Sequence, residues 1–322
     1  MSEIDSSTLE RSRAAATRSD APLEGGQPLI VEVGPRDGLQ SEAAVLPVAT
    51  RIDLIRRLEA AGASRIETVS FAHPKLLPQM AGAEEITEAT AERTFSSIGL
   101  VLNARGMERA VATSLDEVNL VAYAADGYSE KNTGATATDR NNEAAAMIPQ
   151  ATARGLAVTV TISVAWGDPI EGRVAPQRVA EIAGRMAEAG ADEIALGDTI
   201  GVAVPTTVQN LIEAVRAAVP EAAVRCHFHN TRNTGYANAV AALESGADAL
   251  DGAVGGYGGS PFSPGAGGNV ATEDLCWMLE AMRRPTGVDL SAMAETGRWL
   301  ADHLGHEAPP AMLGRAAPWP PG

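Results

Sequence analysis

The sequence has few cysteines, few aromatic residues and almost no lysine. Its 322 residues include two cysteines, Cys226 and Cys276, which cannot build a disulfide framework, so we expect a reducing compartment. Aromatic residues make up 4% of the chain, and the acidic residues outnumber the basic ones by 41 to 25. No basic block interleaved with aromatics occurs, which argues against a nucleic-acid-binding surface.

Long apolar runs are missing as well, so we predict no membrane-spanning segment. Residues 1–27 are polar and of mixed charge, without the apolar core of a secretory signal. A transit peptide would be poor in acid, whereas this segment contains Glu3, Asp5, Glu10 and Asp20. We therefore expect a disordered N-terminal tail on a cytoplasmic protein, and a proline-rich tail at 307–322.

Between the tails, short β-rich runs alternate with alanine-rich segments of helical period. The candidate strands are 29–34, 65–70, 96–102, 117–123, 157–164, 192–197, 223–229 and 248–254. Gly62, Gly190 and Gly246 each follow a helical segment and precede a strand, where a left-handed conformation is expected. The alternation predicts parallel strands with crossover helices. A doubly wound sheet gives similar local signals, but eight strands favour a single-domain (β/α)8 TIM barrel over 28–306, including C-terminal helices.

Two strand ends carry residues suited to metal binding. Arg36 and Asp37 come directly after the first strand, and the seventh ends in His227-Phe228-His229. Because alternate side chains of a strand face the same side, both imidazoles project together. With the Asp37 carboxylate they form a mixed N/O set that suits Mg²⁺, Mn²⁺, Co²⁺ or Zn²⁺. The alternative is a pair of core histidines hydrogen-bonded to neighbours, or a structural Arg36–Asp37 ion pair.

Further polar residues lie at predicted strand ends. Glu67 is near the end of the second strand and Asp198 ends the sixth, positions that favour catalysis in a barrel, although Asp198 could instead cap a helix. The glycine-rich segment 252–269 suits a mobile lid and lacks the Gly-Lys-Ser/Thr of a P-loop. Asn269, at its end, could cap the next helix or give an oxygen to a metal.

Five motifs follow one another along the chain: VEVGPRDGLQSE, IETVSFAHPKLLPQM, EIALGDTIGV, HFHNT and GNVATEDL. In this order they resemble the 3-hydroxy-3-methylglutaryl-CoA lyase family, metal-dependent barrel lyases related to the isopropylmalate and homocitrate synthases. The resemblance covers about residues 28–290. It implies a (β/α)8 barrel, a homodimer, a small-molecule acyl-CoA substrate and a divalent metal, Mg²⁺ or Mn²⁺. The metal ligands it implies are Asp37, His227, His229 and Asn269.

The resemblance also implies a reaction, the retro-Claisen cleavage of 3-hydroxy-3-methylglutaryl-CoA to acetyl-CoA and acetoacetate, as in leucine catabolism. Arg36 would bind the thioester carbonyl and stabilise the enolate. Glu67 and Asp198 would serve the polar network of the site. We expect Asp198 to take the hydroxyl proton.

The chain departs from the family at Ser260, where the family lyases carry a cysteine in the glycine-rich lid. A thiol with a pKa of about 8.5 can exchange a proton near neutral pH, whereas a serine hydroxyl is too weak an acid. Either Ser260 relays a proton through water, another group delivers it, or the substrate differs. An aldolase, a Claisen-type condensing enzyme acting on a 2-oxo acid and a non-catalytic relative remain the alternatives.

Overall fold

Eight parallel strands close into a barrel in the computed structural model, which describes residues 28–259 and 268–306. Each strand pairs with its neighbours in sequence, and the last pairs with the first. The predicted (β/α)8 barrel is therefore confirmed, with strand bounds close to those expected. The strands are β1 Leu29–Glu32, β2 Arg65–Ser70, β3 Ser96–Val101, β4 Glu117–Tyr123, β5 Ala157–Ser163, β6 Glu193–Asp198, β7 Ala223–Phe228 and β8 Ala249–Gly252.

Helices follow the strands and cover the outside of the barrel. Within the described residues they are α1 Val48–Ala60, α2 Ala83–Ala89, α3 Ala104–Ala110, α4 Asp126–Thr133, α5 Ala137–Thr152, α6 Pro176–Glu188, α7 Pro205–Ala218, α8 Gly235–Glu244, α9 Thr272–Ala281 and α10 Leu290–Leu304. None of these described helices has the length and apolar character needed to cross a membrane. A small antiparallel hairpin, Gly167–Asp168 with Gly172–Arg173, follows β5.

The glycines that precede strands adopt the expected left-handed conformation. Gly62, Gly190 and Gly246 have φ of +87°, +106° and +93°, and each lets a helix end just before a strand begins. The predicted tails at 1–27 and 307–322, and Ser260, lie outside the described residues.

The apolar core lies between the strands and the helices. Outward-facing residues such as Ile66, Leu120, Ile162 and Leu196 are almost fully buried there. Burying one such side chain stabilises the fold by about 1.5–3 kcal/mol. A smaller apolar cluster fills part of the barrel interior and consists of Val31, Val33, Ile98, Ala249 and Ala253.

Charged residues occupy the N-terminal end of the barrel interior. We call Arg65, Glu117, Glu193 and Arg225 the barrel-floor network. Arg65 Nε lies 3.0 Å from Glu117 Oε1 and its Nη1 lies 2.8 Å from Glu193 Oε2, while Arg225 Nε lies 3.1 Å from Glu193 Oε1. Burial alone would raise the pKa of Glu193, but the two guanidinium groups lower it to about 2. The floor is thus a set of mutually compensating charges.

Candidate metal centre

A tight turn after β1 brings Arg36 and Asp37 to the C-terminal mouth of the barrel. The turn is a π-helical segment, Gly34–Gly38, in which the Asp37 amide donates to the Val33 carbonyl at 2.7 Å. A side chain at Gly34 would clash, because its Cβ would lie 2.6 Å from Glu32 Oε1. Glycine there allows the backbone to approach closely, and the turn fixes the two charged side chains.

The structure brings Asp37, His227 and His229 together as expected. Each offers one ligand atom, and these three atoms lie within 4.8 Å of one another. The imidazole centroids are 5.1 Å apart, so the two rings do project to the same side of β7. Cys226, on the opposite face, is fully buried beneath the helices. The strand ladder ends at Phe228, one residue before the expected end, because His229 pairs with another segment.

That other segment carries Asn269. An isolated antiparallel bridge places Asn269 opposite His229, and the Asn230 amide donates to the Gly268 carbonyl at 2.9 Å. The Asn269 side chain does not cap α9, whose N-cap is Ala271. The capping alternative therefore fails, and Asn269 stays beside the metal-ligand candidates.

The amide of Asn269 leaves one oxygen that suits a cation. Its Nδ2 donates to Asp37 Oδ2 at 2.8 Å and to the Tyr257 carbonyl at 2.9 Å, which sets the orientation of the amide. Its Oδ1 is buried and accepts no hydrogen bond from the described residues. A carboxylate, two imidazoles and this amide oxygen form a donor set that fits one divalent ion such as Mg²⁺ or Mn²⁺.

Electrostatics keep Asp37 ionised. Burial opposes ionisation, but the Arg36 guanidinium, together with His227 and His229, holds the pKa of the Asp37 carboxyl well below its usual range. The pKa of His227 is raised: burial lowers it, but the hydrogen bond to Asp251 and the charge of Asp37 outweigh that. An anionic ligand is therefore available at any physiological pH.

Two carboxylates fix the guanidinium of Arg36. Its Nε lies 2.8 Å from Glu67 Oε2 and its Nη1 lies 2.6 Å from Asp37 Oδ1. Glu67 in turn accepts from Asn119 Nδ2 at 2.9 Å, and Thr161 donates to Asn119 at 2.8 Å. The sequence reasoning missed Asn119 and Thr161, although polar residues at alternate positions of apolar strands were a signal. We call the assembled residues the mouth cluster: Arg36, Asp37, Glu67, His227, His229 and Asn269.

A cavity of about 990 Å³ opens above the mouth cluster. Its lining includes the exposed Leu76 and Leu102, the buried Tyr123 and Asn119, and the partly buried Thr161. Arg36 is the only arginine or lysine among the described lining residues. The volume is at the upper end for small-molecule sites and exceeds what a short acyl group fills. The cavity therefore has room for a ligand larger than a short acyl group, directly beside the candidate metal ligands.

Asp198 lies beside the cavity wall. Gly197 and Thr199 line the cavity, whereas Asp198 Oδ1 and Oδ2 accept from the amides of Val202 and Ala203 at 2.8 and 3.0 Å. Burial raises the pKa of the Asp198 carboxyl to about 6, despite these two hydrogen bonds. The carboxylate thus holds the loop after β6, and its role as a base stays a prediction.

Asp251 was not singled out from the sequence. It lies in β8, lines the cavity, and its Oδ2 is 3.0 Å from His227 Nδ1. A carboxylate in the last apolar strand, at Ala249-Leu250-Asp251-Gly252, was the available signal.

Together, the barrel and the mouth cluster define a (β/α)8 barrel with a candidate metal-binding site at the C-terminal ends of its strands, where barrel enzymes have their active sites. The chain belongs to the HMGL-like family, which matches residues 27–300. It is 44% identical over 300 residues to the (R)-citramalyl-CoA lyase of Chloroflexus aurantiacus, covering 90% of this chain and 94% of that one. It is 38% identical over 295 residues to the mitochondrial hydroxymethylglutaryl-CoA lyase of Rattus norvegicus, covering 91% and 90%.

Solved structures show the same relationship. The hydroxymethylglutaryl-CoA lyase from Pseudomonas aeruginosa superposes with a TM-score of 0.85 at 36% identity, covering 90% of this chain and 96% of that one. An HMG-CoA lyase from Acenitobacter baumannii, solved in complex with coenzyme A and 3-methylmalate, gives 0.86 at 34% identity, covering 94% and 98%. The expected family and the expected class, carbon–carbon lyase, are thus confirmed.

Proposed function

We propose that this protein cleaves a short, branched 3-hydroxyacyl-CoA that carries a free carboxylate, with acetyl-CoA as one product. The observation that carries the proposal is the Asp37, His227 and His229 cluster beside Arg36, in a cavity of about 990 Å³. Membership in a family of CoA lyases supports the thioester substrate.

The residues of the mouth cluster would hold a divalent metal ion, for which we expect Mg²⁺ or Mn²⁺. Asp37, His227 and His229 would supply three ligands and Asn269 Oδ1 a fourth. Such an ion acts as a Lewis acid that lowers the pKa of the tertiary hydroxyl of the substrate.

Arg36 would stabilise the charge that develops during cleavage. A guanidinium has five N–H donors. Among the described residues, Arg36 uses three of them in hydrogen bonds, two to Glu67 and one to Asp37. Two donors remain for a thioester carbonyl. When the bond between C2 and C3 breaks, its electron pair moves into that carbonyl, and a preorganised cation there lowers the barrier.

The proposed base is Asp198, which would take the hydroxyl proton. A carboxyl with a pKa of about 6 suits proton transfer near neutral pH. Each carboxylate oxygen keeps a second lone pair besides the one that accepts from the loop amides. Asp198→Asn should lower kcat by about 10²–10⁴-fold and remove the acidic limb of the pH–rate profile. An unchanged kcat with lower thermal stability would restrict Asp198 to holding the loop.

The enolate carbon must gain a proton, and Ser260 stands where the family lyases have a cysteine. We propose that Ser260 relays this proton through water. Ser260→Cys should then increase turnover, because a thiol is the stronger acid. A variant with unchanged kcat would assign the proton to another group.

Two substrates satisfy the proposal. 3-Hydroxy-3-methylglutaryl-CoA would give acetoacetate, while (R)-citramalyl-CoA, with one methylene fewer before the free carboxylate, would give pyruvate. The 44% identity to a citramalyl-CoA lyase favours the second candidate, against 38% for the rat enzyme. A place in leucine catabolism depends on the first.

The test is a product assay by mass spectrometry on metal-stripped protein, with each thioester and with or without Mg²⁺ or Mn²⁺. We expect metal-dependent acetyl-CoA together with pyruvate or acetoacetate. No turnover of either thioester by folded, metal-loaded protein would contradict the proposal and favour a non-catalytic relative. A 2-oxo-acid aldolase or condensing enzyme would instead convert its own 2-oxo-acid substrate without releasing acetyl-CoA.

The homodimer and the cytoplasmic location stay predictions. Sedimentation would test the first and cell fractionation the second.

A further inference from the structure

His227 presents its two ring nitrogens to two different carboxylates. Its Nε2 faces the proposed metal position and lies 3.9 Å from Asp37 Oδ2. Its Nδ1 faces away and lies 3.0 Å from Asp251 Oδ2. The imidazole therefore lies between Asp37, which would also bind the metal, and Asp251, which would not.

This arrangement selects one tautomer of the ring. A neutral imidazole that binds a metal through Nε2 must carry its hydrogen on Nδ1. A carboxylate can only accept a hydrogen bond, so Asp251 stabilises the tautomer with the hydrogen on Nδ1. The negative charge of Asp251 also makes the opposite nitrogen a better ligand.

The position of Asp251 is itself constrained by rigid elements. β8 and β7 pair in register at Leu250 and Cys226, which places Asp251 next to His227 on the neighbouring strand. Asp251 Oδ1 lies 3.4 Å from Nη1 of Arg225, a fully buried residue of the barrel-floor network. Asp251 is itself 9% exposed and links that network to the metal centre.

We propose that Asp251 is a positioning residue that fixes the tautomer and orientation of His227, and so sets the affinity of the mouth cluster for a divalent ion. The proposal rests on the metal site of the proposed function and adds a residue that the donor set does not include. Asp251 acts through His227, without contact with the reacting atoms.

The first test observes the tautomer directly. In metal-free wild-type protein, at a pH high enough for the ring to be neutral, ¹⁵N-resolved NMR of the histidine rings should show the hydrogen of His227 on Nδ1, with the resonance assigned by comparison with His227→Gln. In Asp251→Ala the population should shift toward hydrogen on Nε2. A wild-type ring that carries its hydrogen on Nε2 would overturn the proposal without any measurement of activity.

The second test measures Mn²⁺ affinity by calorimetry. Removing the outer partner of a metal-binding histidine costs about 10–100-fold in affinity, which we expect for Asp251→Ala. Asp248→Asn is the matched control, since Asp248 precedes the same strand and binds Arg216 and the Val224 amide at the other end of the barrel. A loss in Asp251→Ala no larger than in the control overturns this inference alone. A folded wild type that binds no Mn²⁺ overturns the metal site as well.

Discussion

Two of the buried charged regions among the described residues, the barrel-floor network and the mouth cluster, differ in how their charges are balanced. In the barrel-floor network two arginines face two glutamates, the side chains are 1% exposed, and no described residue of the network lines the large cavity. In the mouth cluster one arginine faces two carboxylates, with side-chain exposures of 11% for Arg36 and 16% for Asp37. The mouth therefore retains negative charge, imidazoles and an unfilled amide oxygen beside a cavity.

The difference shows that a buried charge in a barrel does not by itself identify a functional site. The floor charges compensate one another and act within the fold. The mouth cluster lacks one positive partner, which a divalent ion would supply.

A third region shows what happens to buried carboxylates without a cation. Glu32 accepts from the amides of Gly34 and Val254, and Glu273 accepts from the amide of Gly255. Burial raises the pKa of Glu32 to about 7 and that of Glu273 to about 8, whereas the arginines hold the pKa of Glu193 at about 2. All three glutamates are buried to nearly the same extent. The direction of the pKa shift therefore depends on whether arginine side chains lie nearby.

The largest expected effect comes from removing a metal ligand in the mouth cluster. His229→Ala should abolish Mn²⁺ binding and lower turnover by more than about 10³-fold, since several kcal/mol of Lewis-acid stabilisation is lost. His73→Ala is the matched control, because His73 also lines the cavity but lies outside the cluster. Calorimetry and the product assay would measure both. Equal losses of Mn²⁺ binding and turnover in the two variants would contradict the assignment of His229 as a metal ligand.

Breaking the barrel-floor network should affect stability. Arg65→Met leaves Glu117 and Glu193 without their main partner, and removing one member of a buried ion pair costs about 3–5 kcal/mol in the free energy of unfolding. Arg140→Met removes an exposed pair with Glu143 and should cost less than about 1 kcal/mol. Urea denaturation would measure both. A loss of turnover without a loss of stability in Arg65→Met would show that the floor has a catalytic role.

The same comparison explains what the sequence could predict. Strands and the shared face of His227 and His229 follow from local patterns, so they were predicted. The pairing of Arg65 with Glu193 joins residues 128 positions apart and exists only once the barrel closes. Likewise, the choice of Asn269 between capping and the metal centre depends on a bridge to His229, which no local signal reports. Asp198 accepts hydrogen bonds from the amides of Val202 and Ala203 in the loop after β6, and no local sequence pattern predicts these contacts.

Within the mouth cluster, the shape of the Arg36 guanidinium should matter as well as its charge. Arg36→Lys keeps the charge but cannot span Glu67 and Asp37 while still donating to a thioester carbonyl. We expect kcat to fall by about 10²–10³-fold, with Mn²⁺ affinity changed by less than about tenfold. Arg109→Lys, in an exposed pair with Glu84, is the control. Steady-state kinetics and calorimetry would separate the two effects, and an unchanged kcat would exclude Arg36 from the reaction.

The smallest expected effect concerns the buried carboxylates without a cation. Because the pKa of folded Glu273 is about 8, above the ordinary value of 4.5, the folded protein holds a proton that the unfolded chain releases between those pH values. The contribution of Glu273 to stability is therefore fully present below about pH 4.5 and is lost as the pH rises toward 8.

Glu273→Gln tests this loss because glutamine has no proton to release and can still accept from the Gly255 amide. Relative to wild type, the variant should gain more than about 1 kcal/mol of stability between about pH 5.5 and pH 8.5. Glu280→Gln, at an exposed position of the same helix, should leave the pH dependence of the free energy of unfolding as it is in the wild type. Urea denaturation across this range would measure the slopes. If both variants followed the wild type, Glu273 would be ionised in the fold, and burial without a cation would not govern its protonation.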